Sequence, residues 1–320
     1  MSIIEKAASR IEHKKGEPAT APLATVADEQ QVKQSVEQSL PERAIEKQLE
    51  KQLEKQAEKP PQAPPASAPA HTHPHTDKHH RHLEIDLDRM HAMGLITPNG
   101  ARSTMSEDFR IIKRPLIKRA FAPRSSGDKP GNLIMITSSL PGEGKTFCSI
   151  NLAMSIAQEV DHTVLLVDAD VARASVLRTL GLPAHRGLMD VLLDDTLDIA
   201  DVMFRTNVST LSILPAGTAN ARATELLASQ TMSGLVNQLA SRYPDRIIIF
   251  DSPPLLVTSE AHVLASHMGQ IVMVVESETT TQHAVKESLR QIEGCSNINL
   301  LYNKSREFAD SKAYGYQYYG

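Results

Sequence analysis

A chain of 320 residues with a net charge of −4 has no overall basic footprint, which excludes nucleic acid as its general partner. Its two cysteines, Cys148 and Cys295, lie far apart without metal-ligand spacing, which points to a reducing cytoplasm rather than a disulfide scaffold. No run reaches the roughly 18 apolar residues needed to cross a bilayer, and the opening MSIIEKAASRIEHKK lacks the apolar core of a secretion signal.

Residues 1–82 read as a low-complexity, disordered extension. Ile3, Ala7 and Ile11 recur at helical spacing over a frayed turn or two. From Glu46 the text EKQLEKQLEKQAEK repeats every four residues, so Leu49, Leu53 and Ala57 drift around a 3.6-residue helix and make no heptad seam. A proline-rich spacer follows over 60–70. Six histidines between His71 and His82 then give the tract incidental metal affinity, without a geometry that selects a metal.

Residues 83–125 form a helical segment. The text LEIDLDRMHAMG predicts a short helix closed by Gly94. In SEDFRIIKRPLIKRAF (106–121), Phe109, Ile112 and Leu116 line one side and Lys113, Arg114, Lys118 and Arg119 form a solvated basic face. Pro115 makes this either one kinked helix or two pieces.

Over 126–305 the pattern changes to short apolar runs, at 133–138, 163–170, 211–217, 246–254, 270–277 and 297–304, separated by helical stretches such as 145–158, 223–240 and 280–294. Continuous runs of branched residues are the mark of strands covered on both faces. The alternation predicts an α/β fold, a doubly wound, mostly parallel sheet with helices on both faces.

Between the first of these strands and its helix stands SSLPGEGKTF. Gly142 and Gly144 let the backbone approach an anion, the helix offers its first amides, and Lys145 and Thr146 occupy the positions that hold phosphate and Mg²⁺ in a P-loop. The general pattern has glycine where Ser139 stands. Pro141, Glu143 and Phe147 complete the loop. Two further strands end in acids, Asp251 in RIIIFD and Asp168 with Asp170 in VLLVDAD, at the edge where open parallel sheets bind ligands. Asp168 and Asp170 project the same way if the strand continues through both. Such a pair of like charges calls for a cation between them.

The chain closes on residues 306–320, a flexible tail in which Tyr314, Tyr316, Tyr318 and Tyr319 fall within the final seven positions. A phosphate on each hydroxyl would add about −1.5 to −2 charges.

Together, SLPGEGKT, VLLVDAD, IIIFDSPP and the terminal tyrosines resemble the bacterial tyrosine kinases that accompany exopolysaccharide synthesis. GLITPNG, FRIIKRP and DADVARASVLRTLGL are similar to the exosortase-associated autokinase group among them. The resemblance covers residues 84–320. It implies an ATP-dependent tyrosine autokinase in which Lys145 holds the β and γ phosphates and Thr146, Asp170 and Asp251 position Mg²⁺. Asp168 and Asp170 would serve catalysis, and Asn303 would contact adenine. The four terminal tyrosines would be phosphoacceptors presented to a neighbour in a homo-oligomeric ring, with 83–125 as the oligomerisation segment and 126–305 as the kinase domain. Glu107, Arg110 and Lys113 match the family's E-x-x-R-x-x-R contact motif, with lysine in the last place. The family's arginine two places after the last Asp is Ala172 here, and Arg173 follows. A separate membrane activator of the chain-length-determinant type would recruit the chain to the inner membrane, and a cognate tyrosine phosphatase would oppose it. The rival readings are a positioning-type P-loop ATPase, whose signature lysine is Leu140 here, and a non-catalytic nucleotide-dependent scaffold.

Overall fold

Branched apolar runs build the centre of the fold, as strands buried on both faces require. The computed structural model describes residues 81–305 except 101 and 244; the N-terminal repeats, most of the histidine tract and the tyrosine tail lie outside the described residues. Eight strands form one sheet: β1 (His82–Leu83), β2 (Leu133–Ser138), β3 (Thr163–Asp168), β4 (Phe204–Thr206), β5 (Leu211–Leu214), β6 (Arg246–Asp251), β7 (Gln270–Glu276) and β8 (Ile298–Asn303). Their order is β1-β4-β5-β3-β6-β2-β7-β8, and every pairing is parallel except β4 with β5. The chain is therefore the predicted doubly wound α/β sheet, and all six expected strands are present.

The α-helices among the described residues are α1 (Leu87–Ala92), α2 (Thr104–Ala120), α3 (Lys145–Ala157), α4 (Val176–Leu180), α5 (Leu188–Leu193), α6 (Ala223–Leu227), α7 (Gln230–Arg242), α8 (Ser259–Ala265) and α9 (Gln282–Gln291). None of the described helices is long and apolar enough to cross a membrane. Successive strand residues face opposite ways, so β2 sends Ile134 and Ile136 into one core with Phe109, Leu116, Ile150 and Met154. Leu133 and Met135 enter the other core, with Leu188, Leu235 and Leu264.

The helical segment before the sheet shares the first of these cores. Leu83, Ile85, Phe109 and Leu116 lie in the same buried cluster as Ile134 and Val272, and Asn151 of α3 accepts the Ile96 N–H at 2.7 Å. Helix α2 runs unbroken through Pro115, which resolves the choice left open by the sequence. It starts in a reciprocal cap between Ser103 and Ser106. Three details differ from the sequence reading. The 223–240 stretch divides at Ser229, whose side chain caps α7 by accepting the Met232 N–H. The two- and three-residue strands β1 and β4 were not anticipated. Lys113, placed by the sequence on a solvated face, is buried: its Nζ lies 2.6 Å from Glu159 Oε1 and donates to the Ser155 carbonyl at 2.5 Å.

Candidate active site

The loop between β2 and α3 bends through two left-handed glycines, Gly142 (φ 88°) and Gly144 (φ 98°), a conformation that costs a side-chain-bearing residue about 1–2 kcal/mol. Gly144 caps α3 without a side-chain acceptor, and the first turn of α3 has no acidic residue. The positive end of a thirteen-residue helix therefore opens onto the loop with its first amides free of a side-chain cap. Lys145 begins that helix and is 9% exposed. Apart from its chain neighbours, no protein atom stands within 4 Å of where a Gly142 Cβ would sit, so the loop is open on that side.

Parallel pairing of β3, β6 and β2 brings the acids to the same edge. Asp168 and Asp251 are register partners. The strand ends at Asp168, so Asp170 sits in the following loop, where its Oδ1 accepts the Arg173 N–H at 3.2 Å. Thr146 donates its hydroxyl to Asp251 Oδ2 at 2.7 Å. Its oxygen is left to accept from the Ser175 hydroxyl, also at 2.7 Å. Ser149, one helical turn beyond Lys145, reaches Asp251 Oδ1 at 2.9 Å. Asp168 Oδ2 accepts the Ser175 and Val176 amides, both at 2.9 Å, while its Oδ1 is buried without a hydrogen-bond partner.

These environments raise all three acids above the ordinary carboxylate range. Burial, then the charge of Asp251, pushes Asp168 up to about 7 against the pull of the two α4 amides. Burial also raises Asp251 to about 6, opposed by the Thr146 and Ser149 hydroxyls and by Lys145. Asp170 is raised by burial and restrained chiefly by Lys145. Cys148, on the next turn of α3, is pushed up to about 12 by burial and then by Asp251, so it stays a thiol and is no nucleophile.

This pattern fits magnesium and phosphate. An unpartnered buried carboxylate oxygen, a lysine among acids and uncapped helix amides all gain from a cation paired with an anion. Among the described residues no group of three or more His, Cys, Asp or Glu forms a metal cage by itself.

The remaining expected residues hold the loop from outside. The Glu143 side chain is buried; it accepts the Leu140 N–H at 2.7 Å and the Thr280 hydroxyl, so only the backbone of this residue can meet phosphate. Asn303, expected beside adenine, donates its amide to the Glu143 carbonyl at 2.9 Å. Sequence reasoning missed Ser149, Ser175, Thr280 and Lys304. Of these, Ser149 was within reach, because it lies four residues after Lys145 on one helix face. Glu107 and Arg110 pair on the surface of α2, but the third member of that motif, Lys113, points into its own chain. Tyr314, Tyr316, Tyr318 and Tyr319 lie outside the described residues.

Residues 131–304 match the AAA domain family. EpsB of Ralstonia nicotianae is 32% identical over 58% of this chain, which spans only 24% of EpsB. The tyrosine-protein kinase YwqD of Bacillus subtilis is 30% identical over 67% of this chain and 87% of its own length. Among solved structures, the chimerical protein CapA2B2 superposes with a TM-score of 0.55 at 27% identity, covering 68% of this chain and 99% of that one. A P-loop with its acids in place, a domain match over more than half of the sequence and a near full-length kinase relative lead to one conclusion: the chain belongs to the bacterial tyrosine-protein kinases.

Proposed function

We propose that this chain is an ATP-dependent autokinase that phosphorylates Tyr314, Tyr316, Tyr318 and Tyr319 in trans within an oligomer, in the service of exopolysaccharide synthesis or export. The observation that carries the reading is the buried acid group at the strand tips, with Asp168 Oδ1 unpartnered and Lys145 beside it. Phosphoryl transfer asks little covalent chemistry of a protein; positioning and neutralisation of charge do most of the work.

The backbone from Pro141 to Phe147 cradles the phosphates, and Lys145 holds the β and γ groups. Magnesium, held through Thr146, Asp170 and Asp251, would neutralise charge on those same groups. One of Asp168 and Asp170 takes the proton of the incoming phenol. Asp168 suits that task because its raised value sits near the pH of the cell and one of its oxygens is already fixed by α4. From Asn303 to Tyr314 an extended chain spans on the order of 35 Å, enough to reach a neighbouring copy. Phosphates on all four tyrosines would add about −6 to −8 charges, and repulsion would release the tail and loosen the oligomer. A membrane protein of the chain-length-determinant type is the proposed activator and membrane tether, and a tyrosine phosphatase the proposed reset.

The test is phosphotyrosine mapping after incubation with Mg-ATP and the activator, using wild type, Lys145→Met and a chain ending at Ala313. Mixing full-length Lys145→Met with the chain ending at Ala313 should phosphorylate the tail of the inactive partner, which demonstrates transfer in trans. ATP turnover without any phosphotyrosine would replace this reading with a positioning ATPase. Nucleotide binding without turnover would leave a scaffold.

A further inference from the structure

When the amides of a loop converge on an anion, the carbonyls of the same peptide planes point the other way, because N–H and C=O oppose each other across a trans peptide. Those outward carbonyls need donors, or the planes are free to turn. In this phosphate loop the two donors are consecutive residues at the end of the edge strand β8, two strands from β2. Asn303 Nδ2 donates to the Glu143 carbonyl at 2.9 Å, and Lys304 Nζ donates to the Gly142 carbonyl at 2.9 Å. The Glu143 carbonyl shares its plane with the Gly144 N–H, and the Gly142 carbonyl with the Glu143 N–H.

Asn303 is closely held, and Lys304, though half exposed, has a second partner. Asn303 ends β8 and is so close to Gly144 that a Cβ there would come within 2.1 Å of its amide nitrogen. Lys304 Nζ is also 3.1 Å from Glu276 Oε2 at the end of β7. Lys304 (φ 56°) and Glu278 (φ 63°) are the two non-glycine residues with positive φ among the described residues. Both lie in the segments that grip the loop: the root of the tail, and the turn after β7 that carries Thr280 to the Glu143 carboxylate. Strain of this kind persists only where surrounding contacts hold it, and it gathers at functional sites.

We infer that Asn303 and Lys304 are positioning residues of the phosphate loop: they fix the peptide planes whose amides face the phosphates, and so make the root of the tyrosine tail part of the nucleotide site. This rests on the P-loop reading of the site but not on the tyrosine being the acceptor. It also assigns Asn303 to the loop instead of to the adenine ring.

Binding by the full-length chain distinguishes the two assignments, measured by calorimetry with Mg-ADP and with magnesium pyrophosphate, which has the phosphates but no base. Asn303→Ala and Lys304→Met should each weaken both ligands about threefold, and the double variant at least tenfold. Lys304→Arg should restore Lys304→Met, and Asn303→Asp, which sets an acceptor against the Glu143 carbonyl, should be worse than Asn303→Ala. Melting temperatures close to wild type would show that the variants remain folded. In wild type, Mg-ADP should slow tryptic cleavage after Lys304. Weakening of Mg-ADP with pyrophosphate unaffected would return Asn303 to the adenine and overturn the inference. Unchanged affinity for both ligands would overturn it as well. Neither result would bear on tyrosine transfer, which is read separately by phosphotyrosine mapping.

Discussion

Two buried lysines, one on α2 and one at the start of α3, have opposite surroundings. Lys113 is 3% exposed and fully engaged, with Glu159 and the Ser155 carbonyl as partners, and Arg114 adds a second cation to Glu159 at 3.4 Å. Burial pushes the Glu159 carboxyl up, but the hydrogen bond and charge of Lys113, with Arg114 and His162, outweigh it and hold the group below its ordinary value. Lys145 is 9% exposed and stands among acids that burial has raised, beside helix amides without a side-chain cap. A buried charge whose partners are complete serves the fold; one whose surroundings still favour an anion serves binding.

Each lysine offers a way to break that contrast. Lys145→Met should lower autophosphorylation by on the order of a thousandfold with little change in melting temperature; a large loss of stability with activity per folded molecule intact would reverse its role.

Asp168→Asn sharpens the same point from the acid side. Asparagine keeps the oxygen that accepts the two α4 amides and removes a charge that burial disfavours, so the nucleotide-free protein should gain stability on the order of a few kcal/mol near neutral pH. Asp168 is raised from 3.8 to about 7, so the folded chain holds a proton there that the unfolded chain has released. Wild-type stability from this group is complete below about pH 4 and is lost as pH rises through about 7. The advantage of asparagine should therefore grow across that window, as followed by denaturant titration at several pH values. A gain independent of pH would refute the assignment.

Lys113→Met should cost about 2 kcal/mol, less than the 3–5 of a fully buried pair because Glu159 keeps Arg114 and some solvent. Phosphorylation per folded molecule should be retained. The smallest effect belongs to Ser103→Ala, which removes the α2 cap and should cost about 1 kcal/mol in chemical denaturation without altering nucleotide affinity.

Much of the site was legible because its signals are local. SSLPGEGKTF sits between a strand and a helix, and the two acidic motifs end apolar runs at 168 and 251, so strand, loop, helix and ligand edge could be placed from neighbouring residues. The division of 223–240 at Ser229 was missed because apolar periodicity carries across the break. Strands β1 and β4 were missed because two or three residues have no period to detect.

Sequence alone determined the class of the sheet, the phosphate loop and the acids that face it, since side-chain alternation and turn chemistry are written within a few residues of one another. Tertiary structure decided which polar groups answer which. Glu143 meets Thr280 across 137 positions, Asn303 meets Glu143 across 160 and Lys304 meets Gly142 across 162. It also turned Lys113 inward to Ser155 and Glu159. The physical reason is that a buried donor or acceptor must be satisfied by whatever the fold brings beside it, and no local pattern specifies a partner that arrives from the other end of the chain.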